Sequence, residues 1–210
     1  MIFQLLALGF WDKLWFLIQQ GDILLFLKIN NVWTNIVLDT ILPISRDANT
    51  WVPLYLFILI FLFLNFKEKA WIWILFALVN VIITDQVSSH IIKLFVQRLR
   101  PCADPFLQYH VRLMVDHCSG GFSFTSSHAT NHFGFASFVF YTLGSVLNRW
   151  KYICFIWAGV IAYAQVYVGV HYPTDIICGA ILGYLIGSLM SSLFIKKYGV
   201  LTINDKITTA

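Results

Sequence analysis

Residues 51–66 read WVPLYLFILIFLFLNF, a run without one charged side chain. Lipid offers no partners to backbone amides and carbonyls, so a segment this apolar folds as a helix whose hydrogen bonds are internal. Spanning a hydrocarbon core of about 30 Å takes about 20 such residues. Four further runs of that kind follow at 71–96, 128–147, 151–170 and 175–195. The whole chain of 210 residues is 59% hydrophobic, 17% aromatic and 11% charged, whereas soluble domains carry about a quarter charged residues. The expected fold class is all-α: a polytopic membrane helical bundle of five transmembrane helices. A sixth is long enough to fit in residues 22–42, but the mixture of aromatics with Asp, Lys and Asn over 10–42 favours N-terminal helices lying in the membrane interface.

The short connections carry the topology. Lys67, Lys69, Arg149 and Lys151 occupy the gaps after the first and third runs, and Lys196 and Lys197 follow the fifth. The gap after the fourth run contains no Lys or Arg. Basic loops stay cytoplasmic, which puts loop 97–127 and the corner His171–Asp175 together on the other side. The N-terminus lacks a basic start, and Asp12 and Lys13 interrupt its apolar run, so no cleavable signal peptide is expected. A net charge of +4, dispersed along the chain, argues against a nucleic-acid partner. Cys154 and Cys178 read as small packing residues. Cys102 and Cys118 share the exposed loop and are expected to pair, a closure contributing about 3 kcal/mol on the chain-entropy view.

Ionisable groups at membrane depth call for an explanation. The second run turns polar after Ile83, placing Asp85, Ser89 and Lys93 one turn apart, with Gln86 and His90 beside them. A polar seam between helices accounts for Asp85, Gln86 and His90 as well as a catalytic role does. Lys93 and Arg100 flank the helix end at Pro101, where they suit either a multi-oxygen anion or snorkelling to headgroups. Thr125, Ser126 and Ser127 are N-cap types, so a helix starts near His128 and offers free N–H groups to an anion. Pro173 suits the first turn of the last helix. Asp175 can then fold back towards His171, fixing one ring nitrogen and leaving the other bare as nucleophile or base. Four zinc ligands, His128, His132, His171 and Asp175, are the minority alternative, since Lys93 and Arg100 would face the same cation.

KLFVQRLRP (93–101), TSSH (125–128) and AQVYVGVHYPTD (164–175) resemble, in order and spacing, the three motifs of the type 2 phosphatidic acid phosphatase superfamily. The resemblance implies a membrane lipid phosphatase without metal or cofactor. It implies that His171 attacks phosphorus, Asp175 orients it, and His128 protonates the leaving oxygen and then activates water. Lys93, Arg100, Ser126 and Ser127 would hold the phosphoryl oxygens. Two positions depart from the pattern. Ser127 replaces a glycine, and Ala164-Gln165 replaces a Ser-Arg pair. Gln165 can donate a hydrogen bond but carries no charge, and Arg98 or Arg112 are the candidates to compensate. The implied division is a single domain over 1–210, with interfacial helices in 1–48, a transmembrane catalytic core in 51–196 and a cytoplasmic tail in 197–210. The implied partners are the bilayer and a lipid phosphate. Undecaprenyl diphosphate comes first, then phosphatidylglycerol phosphate, phosphatidate or lipid A, with the site on the outer face of the inner membrane. A lipid phosphotransferase, or a binding homologue weakened by Gln165, is the alternative.

Overall fold

The structure, a computed structural model, describes residues 9–203, so residues 1–8 and the part of the tail from 204 to 210 lie outside the described residues. It is helical, with no strand among those residues. The order is α1 (Phe10–Leu27), α2 (Ile36–Arg46), α3 (Val52–Phe66), α4 (Glu68–Val96), α5 (Ser127–Thr142), α6 (Ile153–Tyr167) and α7 (Pro173–Tyr198). Residues 22–42 do not form a sixth span. The chain leaves α1 at Leu27, passes through a π turn over Lys28–Val32, and restarts at Ile36, where Asn35 caps α2 by accepting the Leu38 N–H at 2.9 Å.

Among the described residues, three segments are long and apolar enough to cross a membrane: Ala48–Phe66, Glu68–Val96 and Pro173–Tyr198. The other two expected spans are shorter than hydropathy implied, at 16 residues for α5 and 15 for α6. Their lengths correspond to roughly 24 and 22 Å. Each has a local reason. Helix α5 begins only at its Ser126 cap and breaks at Leu143, before a separate turn over Gly144–Leu147. Helix α6 stops at Tyr167 because the chain must turn through Gly169 to present His171.

Helix α5 sits at the centre, against α4, α6 and α7. Its contact with α7 is set by small residues. Gly179, Gly183 and Gly187 recur every fourth position on one α7 face and meet Ser126, Thr130, Gly134 and Ser137. A β-carbon on Gly183 would lie 2.9 Å from the Gly134 amide nitrogen, and one on Gly187 2.9 Å from Ser137 Cβ. Small residues at this spacing let two backbones touch, the usual way membrane helices associate without a hydrophobic driving force. Below this seam Leu62, Phe66, Trp73, Phe138, Met190 and Phe194 form the larger core, and Trp73 donates to Thr142 Oγ1 at 2.8 Å. Outer faces of α3, α4 and α7 remain apolar and exposed, for example Phe57, Leu64, Trp71, Leu78, Leu185 and Leu189.

A second core ties the N-terminal helices to the site end of the bundle. Phe26, Ile29 and Leu42 pack on Leu107, Tyr167 and Tyr172. Buried Asn30 reinforces it, donating to the carbonyls of Tyr167 and Arg112 at 2.7 and 2.9 Å and accepting the Arg112 N–H at 2.8 Å. The 97–126 loop is closed by a Cys102–Cys118 disulfide with Cα atoms 5.8 Å apart, as the sequence led us to expect. Cys154 and Cys178 are unpaired.

Candidate active site

The His171 turn is built by backbone. After α6 the N–H groups of Val170 and His171 both return to the Gln165 carbonyl, at 3.1 and 3.2 Å. Gly169 has φ +92, and a β-carbon there would lie 2.7 Å from Val111 Cγ1 and 3.1 Å from the Arg112 carbonyl. Only glycine fits. Pro173 then opens α7 in its first turn, and Asp175 Oδ2 accepts the Tyr172 N–H at 2.9 Å, closing the capping box expected from the sequence.

That box brings the carboxylate under the imidazole, but not alone. His171 Nδ1 is 3.4 Å from Asp175 Oδ2, a long contact, and Ser123 lies between them. Its hydroxyl donates to Asp175 Oδ2 and is 3.2 Å from His171 Nδ1. On the other side of the ring, Arg100 Nη1 is 3.1 Å from Nε2 and 3.2 Å from the Val170 carbonyl. An arginine N–H can only donate. Nε2 is therefore the bare nitrogen, and Nδ1 carries the proton towards Ser123 and Asp175.

Burial of the His171 ring pushes its pKa down to about 4 from 6.5, with Asp175 opposing the shift and Arg100 and Lys93 adding to it. The folded value lies below the unfolded one. The stability that neutral His171 contributes is thus complete above pH 6.5 and lost as pH falls from there through about 4. A nitrogen-15 NMR titration of His171 in detergent micelles should give a midpoint about 4, leaving the ring neutral at physiological pH. A midpoint at 6.5 would mean that the ring is hydrated.

The remaining groups converge from other elements. Lys93 reaches the site from the last turns of α4, just after a π turn over Val87–Ile92 that widens the helix. Its charge acts on Arg100, Asp175, His128 and His171. His128 stands in the first turn of α5, where the N–H groups of Ser127 and His128 have no intrahelical acceptor. Ser126 is fully buried; its hydroxyl faces the Ala129 N–H at 3.4 Å and its amide donates to the Asp175 carbonyl at 3.1 Å. Ser127 turns its hydroxyl to Ser89 and Ser88, at 2.8 and 3.2 Å, and Asn131 donates to Asp85 at 3.2 Å. Asp85 and Ser89 thus form the polar seam between α4 and α5.

Gln165 does not join the cluster. Its side chain is fully buried, its amide nitrogen faces the Ile161 carbonyl of its own helix at 3.4 Å, and its Oε1 has no partner among the described residues. Neither expected substitute takes its place. Arg98 is bound to Asp175 Oδ1 at 2.8 Å, Asp22 at 2.6 Å and Thr174 at 2.7 Å, stacked over the Tyr172 ring at 3.8 Å. Arg112 pairs with Asp39 at 2.8 Å and donates to the Asn30 carbonyl at 3.0 Å. The four-ligand zinc set does not gather either, since no three His, Cys, Asp or Glu side chains converge among the described residues.

Sequence reading missed Ser123, the Asp22–Arg98–Asp175 chain, and Arg46. Asp22 also accepts from the Thr174 N–H and hydroxyl, at 2.9 and 2.6 Å, so α1 holds the start of α7 directly. Arg46, at the end of α2, lines a cavity of about 470 Å³ with Asp47, Met114, Asp116, His117 and His128. The only signal for Asp22 and Arg46 was a charge on a mainly apolar helix.

The PAP2 superfamily profile matches residues 73–198, more than half of the chain. The lipid A 4'-phosphatase of Porphyromonas gingivalis is 32% identical over 174 residues, which is 81% of this chain and 72% of the relative. Phosphatidylglycerophosphatase B of Bacillus subtilis is 30% identical over 75% of this chain and 74% of its own length. Among solved structures, Aquifex aeolicus LpxE superposes with a TM-score of 0.58 at 27% identity, covering 81% of this chain and 94% of that one.

Proposed function

We propose that this chain, which belongs to the PAP2 superfamily, is a membrane lipid phosphatase that takes a phosphoryl group onto His171 and passes it to water. The observation that carries the reading is the state of the imidazole, with Nε2 bare against Arg100 and Nδ1 turned to Ser123 and Asp175. A nucleophile needs that free electron pair and a partner for the proton left behind.

The steps follow from the placement of the groups. The lipid phosphate docks on the first-turn amides of α5, with Lys93 beside it. Arg100 exchanges the ring nitrogen for a phosphoryl oxygen. Nε2 then attacks phosphorus, and the phosphorus–oxygen bond to the lipid breaks as His128 gives that oxygen a proton. Asp175 balances the charge on the imidazolium. Neutral His128 next draws a proton from water, which attacks the phospho-histidine, and inorganic phosphate leaves. Fixed cations around the transferring group supply most of the rate in such chemistry.

The reading extends to topology and substrate. On a reading of five crossings, with α5 and α6 completed by the turns beside them, Lys67, Lys69, Arg149, Lys151, Lys196 and Lys197 fall at the ends remote from His171. That supports a site on the outer face of the inner membrane, with α1 and α2 in the interface. The similarity to a lipid A 4'-phosphatase makes lipid A 4'-phosphate the first substrate to try, ahead of undecaprenyl diphosphate, phosphatidylglycerol phosphate and phosphatidate.

Purified protein in detergent, assayed for phosphate release across those four lipids, should give its highest kcat/KM on lipid A 4'-phosphate. No release from any of them would overturn the hydrolase reading. Transfer of label to an added lipid acceptor instead of water would make the chain a phosphotransferase.

A further inference from the structure

Gln165 brings no charge to the site, Arg98 is bound to Asp22, Thr174 and Asp175, and Arg112 is tied to Asp39 and the Asn30 carbonyl, although its Nη2 lacks a partner among the described residues. Arg46 is placed differently. Helix α2 packs along α6, the helix that carries Gln165, and delivers Arg46 from its last turn. The guanidinium is half-buried and makes no ion pair, and its Nε is buried without a hydrogen-bond partner among the described residues. Asp47 and Asp116 line the same cavity, yet neither pairs with it. His128 lines that cavity too. Arg46 is also close enough for its charge to act on both His128 and Arg100.

A guanidinium half out of water needs a counter-charge. Asp47, next to it in sequence, is the carboxylate whose charge acts on it without an ion pair, and across the site Arg46 faces Arg100, whose Nε also lacks a partner among the described residues. Two guanidinium groups whose charges act on each other repel unless an anion joins them. Planar donors of this kind match the oxygens of a phosphoryl group.

We propose that Arg46 is a phosphate-binding catalytic residue, grasping the transferring phosphoryl group from the His128 side of the cavity and supplying the cation that position 165 lacks. This rests on the phosphatase reading for its substrate but not for its ligand, because inorganic phosphate probes the same contact without turnover. The role gives a division of labour. Arg100 and Lys93 hold the group from the His171 side, and Arg46 closes the ring of charge opposite.

The test compares wild type with Arg46→Gln, Arg46→Lys and Arg46→Ala. In calorimetric titration with inorganic phosphate, Arg46→Gln should weaken binding about tenfold, as for loss of one charge-assisted donor. Its kcat/KM on a lipid phosphate should fall about 100-fold or more, as for loss of one preorganised donor to the transition state. Arg46→Lys should recover part of both. Guanidinium ion in solution should restore turnover to Arg46→Ala, and introducing Gln165→Arg into Arg46→Gln should restore phosphate binding.

Wild-type phosphate affinity in Arg46→Gln overturns the inference, as does absence of phosphate binding from the wild type. Turnover lost without weakened phosphate binding and without guanidinium rescue overturns it too, and would make Arg46 structural. Wild type that binds phosphate through Arg46 but hydrolyses no lipid would uphold this contact and sink the phosphatase reading instead.

Discussion

His171→Gln should lower kcat for phosphate release by about 10⁶-fold, the size of loss seen when a nucleophile acting within a unit is removed. Glutamine is the informative replacement because it keeps a polar side chain beside Arg100 and fills more of the buried site than alanine would. Acid-quenched wild type given labelled lipid phosphate should hold label in the His171 peptide, and the variant should hold none. The loss is large because no second group can assume the task. His128 stands on the leaving-oxygen side in the proposed pose, and the base beside the Ser123 hydroxyl is the Asp175 carboxylate, too weak to generate an alkoxide. A variant rate within tenfold of wild type would place the attacking atom elsewhere, with directly activated water the first candidate.

Gly183→Leu should prevent the bundle from assembling. A β-carbon at that position already falls closer to the Thr130 carbonyl and the Gly134 amide nitrogen than real β-carbons come to such atoms. The obstacle is backbone, which cannot rotate aside, so α5 and α7 must separate along the seam. Overpacking a yielding core costs about 1–3 kcal/mol, and this contact does not yield. The expected result is loss of the monodisperse peak on size exclusion in detergent and a fall of the thermal midpoint by more than 10 °C, on the usual scale of a few degrees per kcal/mol. Gly120→Leu is the control, because nothing lies within 4 Å of a β-carbon there. A Gly183→Leu protein with the wild-type midpoint would show that the helices are not in backbone contact.

The residues explain how much of this could be read in advance. Apolar runs located α3 to α7 because lipid leaves a hydrophobic helix few alternatives. The same runs overstated α5 and α6, since hydropathy does not register a backbone break at Leu143 or a turn forced by Gly169. His128, His171, Asp175, Lys93 and Arg100 were legible as a set because helix-capping chemistry and charge placement point to one end of the bundle. Ser123 was not, because a serine in a loop rich in Ser and Gly carries no signature until Asp175 lies beneath it. Arg98 and Arg112 were misjudged for a related reason. Sequence shows a positive charge but not its counter-ion, and the counter-ions Asp22 and Asp39 sit on helices that read as membrane-surface anchors. Arg46 was overlooked because nothing in the sequence places the end of α2 beside His128.

The pairing of Asp22 with Arg98, and so with Asp175, has a practical corollary for anyone cutting the gene. The PAP2 superfamily profile starts at residue 73, and a fragment trimmed to that edge would retain every motif residue while discarding the clasp formed by α1 and α2. Its aspartate would face an arginine stripped of its second acid, its last helix would begin unfastened, and the cavity beside His128 would lack a wall. Such a piece could display all three signatures in an alignment and still fail at the bench, so the working unit is wider than the stretch the profile covers.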